Sequence, residues 1–150
     1  MIATAKVLAG LDAPGQADLR RAVSTAYYGM FHALCDLCAS ALHGPAGPDR
    51  AERAWRQTYR AVNHNTANTA CRQVNDAEFD FPDAIKAFAR TFATLQAQRH
   101  LADYDPAAEF WIEDVRVEIV KAQAAIEALD GADASDMSAF AALVFFRQRD

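Results

Sequence analysis

Four side chains suited to holding a phosphate and moving a proton recur at helical steps in this chain. Arg53, Arg56, Arg60 and His64 are separated by three, four and four residues, so on one continuous helix they share a face. Arginine grips phosphate oxygens in pairs, and an imidazole titrating near pH 6.5 can give or take a proton beside it. The spacing predicts an anion- or RNA-phosphate-binding surface in which His64 is the candidate acid or base and Arg60 beside it would hold the phosphate. The same spacing also suits a solvated arginine face, or a face that pairs with the acidic C-terminal half of a neighbouring subunit. Among the other histidines, His32 and His100 read as structural residues at helix margins, and His43, beside Gly and Pro, reads as exposed.

Cys35 and Cys38 form a C-x-x-C pair, but both fall within an apolar helical stripe. Only His43 and Cys71 are at hand as further ligands, and the spacing is unlike structural zinc patterns. Small buried hydrophobes are the better reading, and no metal or cofactor is expected. There is no phosphate-binding glycine loop, nucleophile elbow or paired metal-binding histidine motif, which leaves nucleotide hydrolysis and metalloprotease chemistry without support.

A second constellation lies on the longest helical segment. Arg21, Thr25, Tyr28, His32 and Cys35 follow at steps of four, three, four and three, which places polar groups near the core margin, where they need partners. Further on, the stripe of Phe88, Phe92 and Leu95 continues with Arg99. Arg99 is therefore expected to point inward or into an interface, its stem packed and its guanidinium paired. Asp103 stands four residues later, but basic-before-acidic is the weaker order and contributes only about a few tenths of a kcal/mol. A tertiary partner such as Tyr28 or a neighbouring carboxylate is expected. Tyr104 is either a recognition or modification point or a packing residue at the helix end.

The elements that must position these groups are helices. Apolar residues recur at three- and four-residue steps between short breaks at Pro14-Gly15, Gly44 to Pro48, Phe79 to Pro82, Asp105-Pro106 and Asp130-Gly131,. The pattern predicts helices over Ile2–Leu11, Gln16–Leu42, Asp49 through Tyr59, Pro82 to Asp105, Ala107–Leu129 and Ser135–Arg147. The third has Asp49 as N-cap, and its continuation through Asn63, His64, Asn65 and Thr66 consists of weak helix formers, so a break is expected near His64. Trp55 and Tyr59 are expected to anchor it to the core.

Composition agrees. The chain has 150 residues, 52% hydrophobic, with alanine the most abundant type and only 6 Gly and 5 Pro. Alanine favours helix over strand, which argues for an all-α antiparallel bundle of five or six helices in one domain, residues 1–150. No apolar run is long enough to cross a membrane. Met1 to Leu11 lacks a cleavage pattern, and the three cysteines are an odd number; both suit a reduced, cytoplasmic chain. The net charge of −5 disfavours non-specific coating of nucleic acid. That charge is uneven: residues 50–72 carry five arginines against one glutamate, and residues 101–150 carry four basic against eleven acidic groups.

The segment from Leu19 to Leu34, with Arg20, Arg21, Ala22, Ser24, Ala26, Tyr27, Tyr28, Phe31, His32 and Ala33 in order, resembles a phrase of the form L-R-R-A-x-S-x-A-Y-Y-x-x-F-H-A in the first long helix of HEPN-domain proteins. Arg99, Ala102, Asp103 and Tyr104 are similar to the R-x-x-A-D-Y ending of a later helix in that family. On this resemblance Arg21, Tyr28, His32, Arg99, Asp103 and Tyr104 are structural or interface residues. It further implies a helical bundle, often homodimeric, of toxin–antitoxin and defence systems. Many members are metal-independent endoribonucleases whose arginine and histidine stand four to six residues apart, histidine acting at the RNA 2′-hydroxyl and arginine on the phosphate.

This chain departs from that motif: three residues separate Arg60 from His64, seven separate Arg56 from His64, and His100 follows Arg99 at once. Other branches lack the motif and pair with a nucleotidyltransferase-type antitoxin or bind nucleotides or proteins. The expectation is a dimeric nucleotide-, RNA- or protein-binding regulatory module. The alternative is an endoribonuclease toxin using Arg60 and His64 across a dimer cleft.

Overall fold

A computed structural model describes residues 1–76 and 79–146. Among them are seven helices and no strand: α1 (Ile2–Ala9), α2 (Gln16–His43), α3 (Glu52–Ala61), α4 (His64–Gln73), α5 (Asp83–Tyr104), α6 (Ile112–Asp130) and α7 (Ala134–Phe145). The 28 residues of α2, roughly 42 Å of helix, form the central strut. It packs against α1, α3, α5, α6 and α7, while α4 lies on α5 and α7. Gly29 lets α1 approach, since a Cβ there would sit 2.9 Å from Ile2 Cδ1.

The buried apolar side chains form one cluster. At its centre Tyr27, Met30 and Leu34 of α2 meet Ile85, Phe88, Phe92 and Leu95 of α5, with Ile119 and Phe140 closing it from α6 and α7. These are the residues that recur at helical spacing, so the stripes of α2, α5 and α6 face the core as expected. At the end of α7, however, Phe146 is exposed, and Arg147 lies outside the described residues.

Seven helices stand where the periodicity predicts five or six, because the third segment splits. Val62 turns extended and Asn63 caps a new helix, its side chain accepting from the Asn65 and Thr66 amides. Asparagine competes well for such amides, and that competition ends α3. α3 also starts later than Asp49. The Arg50 guanidinium lies 4.4 Å from the Trp55 ring centroid and bonds Glu52, which folds the approach back on the first turn.

α6 likewise begins at Ile112 rather than Ala107. Arg20 donates to the carbonyls of Ala102, Asp105, Pro106 and Ala108, and Gln16 holds both the carbonyl and the amide of Phe110. Backbone groups that a helix would pair internally are taken by two side chains of α2.

Candidate functional site

The α2–α5 contact gathers the polar residues of both helices. Arg99 Nη2 donates to Tyr28 Oη at 3.1 Å. Its Nε stands 2.6 Å from Asp103 Oδ2 as an ion pair, but off the angle of a hydrogen bond. The second oxygen of Asp103 accepts from Ser24 Oγ at 2.6 Å. The guanidinium also lies 5.5–5.9 Å from the ring centroids of Tyr27, Tyr28 and Tyr104. The Arg99 side chain is 21% exposed and that of Asp103 29%. Tyr28 is thus the tertiary partner of Arg99, while its carboxylate is the local Asp103 of the same helix rather than one from elsewhere in the chain. The packed tyrosines lower the local polarity, which strengthens a pair worth little on an open helix.

His64 opens α4 directly behind this cluster. Its Nδ1 is 2.6 Å from Tyr27 Oη, and its ring stacks on Phe31 with centroids 4.0 Å apart. Gln96 of α5 donates to the His64 carbonyl. Burial first, then the charges of Arg99 and His32, hold the imidazole below its ordinary value, so the ring is neutral at pH 7. Burial pushes the Tyr27 hydroxyl up, so the phenol stays protonated. The result is a neutral imidazole with one nitrogen committed to a phenol and one aromatic face covered.

The arginine row stands apart. Arg53, Arg56 and Arg60 are exposed on α3, where with Glu52 and Gln57 they line a shallow depression of about 440 Å³. Arg56 shares Glu52 with Arg50. α3 has no fully buried side chain. It is tied to α2 by Trp55 Nε1 to Ser40 Oγ, Thr58 Oγ1 to His43 Nε2 and Tyr59 Oη to His32 Nδ1. Trp55 and Tyr59 do anchor the helix, their rings 5.0 Å apart.

The expected row of four is therefore a row of three. The helix ends at Ala61, so His64 belongs to another helix, and the arginine whose charge acts on its imidazole is Arg99 rather than Arg60. His43 is half-buried and bonded, not loose in a loop.

Of the remaining candidates, Arg21 is exposed, and the adjacent Arg20 makes the long-range bonds. Tyr104 is 64% exposed and packs against His100, ring centroids 5.0 Å apart. Cys35, Cys38 and Cys71 are buried free thiols, and burial pushes Cys35 up to about 12. Among the described residues no three or more His, Cys, Asp or Glu side chains are placed to hold a metal ion.

By spacing alone Tyr27 belongs only to the apolar stripe of α2. Its hydroxyl is the signal that points further, because a buried phenol needs a partner. Ser24 and Gln96 carry no comparable signal. Comparison of the chain with family models, curated proteins and solved structures gives no significant match.

Proposed function

We propose that this chain is a HEPN-like regulatory module, dimeric in its working form, that binds single-stranded RNA through its phosphates at the arginine row of α3. The observation that carries the reading is the exposure of Arg53, Arg56 and Arg60 on a helix with no buried side chain. Three guanidiniums on one face, offset by Glu52 alone, suit a run of phosphates. The acidic net charge disfavours a polyanion over the surface at large,. Proton transfer is not part of the reading, because His64 lies off the row and its Nδ1 is engaged by Tyr27.

The test is fluorescence anisotropy of a labelled single-stranded RNA at several salt concentrations. Arg53→Ala/Arg56→Ala/Arg60→Ala is expected to weaken binding and flatten the salt dependence, by about 0.7 in slope for each phosphate no longer neutralised. Unchanged affinity and slope in the triple variant refute it.

A second reading, a metal-independent endoribonuclease, is favoured by the place of the His64 ring, bonded to Tyr27 and beside Tyr28 of the Arg99 cluster, where burial and Arg99 favour the neutral form that a general base needs,. Cleavage of RNA in EDTA that His64→Gln abolishes would support this reading over the first. Binding without cleavage supports the regulatory one.

A further inference from the structure

A cleft of about 350 Å³ opens between the C-terminal half of α2 and the α6–α7 turn, on residues that neither the arginine row nor the Arg99 cluster uses. Its size is at the lower end of small-molecule sites, which run from about 300 to 1,000 Å³. The floor is apolar. Leu37 and Leu129 are buried core residues, and Met137 packs half-buried against the core. Two carboxylates line the same cleft from different helices, Asp36 on α2 and Asp130 at the end of α6. Among the described residues neither has a salt bridge, and neither side chain makes a hydrogen bond.

Negative charge collects at this corner without a protein countercharge. Asp130 sits at the C-terminal end of α6, where the aligned peptide dipoles already place partial negative charge,. The last turn of α6 has no basic residue to offset it. The chain around it, residues 101–150, has eleven acidic against four basic groups. α7 begins at the same cleft with its partial positive charge, but Asp133 caps it and Asp136 lies in its first turn. The corner therefore disfavours an anion. Asp36 and Asp130 are both exposed at the rim, so a neutral apolar molecule would cover Leu37, Leu129 and Met137 and gain nothing from the two carboxylates. An apolar body bearing one ammonium group satisfies both features.

We propose that this cleft binds a small organic ammonium ion, its apolar body on Leu37, Leu129 and Met137 and its charged end at Asp36 and Asp130. Methionine suits such a floor because its flexible, polarisable side chain adapts to an aryl or alkyl group. None of the arginines of the row lines the site, although Ser40, on its wall, accepts from Trp55 of α3.

The experiment is calorimetric titration of the full chain with phenethylammonium and with 2-phenylethanol, its neutral analogue of like shape. Saturable binding of the amine is expected, about three- to tenfold tighter than the alcohol, as charge pairs with two exposed carboxylates allow,. Asp36→Asn/Asp130→Asn keeps the shape and should erase that preference while the alcohol binds as before. Ser138→Trp, at an exposed position on the cleft wall, should block both ligands, with an unchanged circular dichroism spectrum showing an intact fold. Equal affinity for amine and alcohol, a preference that survives the double variant, or no saturable binding of the amine up to about 10 mM each overturns the proposal.

Discussion

Arg99 shows how a charged side chain is made tolerable at the edge of a core. Asp103 and three tyrosines, Tyr27, Tyr28 and Tyr104, surround it, and Ser24 fixes the carboxylate from α2. Arg99→Ala would strand Tyr28 and leave Asp103 with Ser24 as its partner, so a loss of about 1–3 kcal/mol is expected in urea unfolding. An unchanged midpoint contradicts this account. His64 gives a pH signature. Its folded-state pKa is depressed, so the unfolded chain binds that proton more readily. Its contribution to stability is complete above the ordinary histidine value of about 6.5 and is lost as pH falls below it. Melting temperature should fall between about pH 7.5 and about pH 5.5, and fall less in His64→Gln, which has no titrating ring. Parallel profiles for the two proteins would refute the assignment.

Asn63 decides the path of the chain at the level of the element. By accepting from two amides it starts α4 and turns His64 toward Tyr27. Asn63→Ala should cost about 0.5–2 kcal/mol, and Asn63→Gly only a few tenths, because glycine is itself tolerated at an N-cap. Equal losses in the two variants would show that the side chain does not cap. The weak helix formers around His64 made the break legible in the sequence. Its consequence was not legible, since splitting the row depended on Val62 turning extended. The start of α6 was hidden for a similar reason. No local signal in residues 107–111 shows that Arg20 and Gln16, more than eighty residues earlier in the chain, take its backbone groups.

Across the whole molecule, charge and burial are segregated. The basic α3 lies on one flank of α2, and residues 101–150, which include α6 and α7, carry eleven acidic against four basic groups. The three thiols lie within the core, and burial raises each of them. A thiol-specific disulfide reagent at about pH 8 should therefore label none of the three in the native protein and all three in denaturant, since the thiolate is the reactive form. Rapid native labelling of any one would show that this part of the core opens.

The amino-acid sequence alone determined the helical class, the inward stripes of α2, α5 and α6, and the pairing demand of Arg99, because these follow from local periodicity and from the cost of burying charge. Tertiary structure decided which groups meet. Tyr27 with His64, Ser24 with Asp103, Arg20 with four distant carbonyls, and Asp36 with Asp130 across one cleft are juxtapositions of residues remote in the chain. A three- or four-residue spacing specifies a face of one helix. It says nothing of which helix lies against that face, and a single capping asparagine was enough to take His64 out of the arginine row.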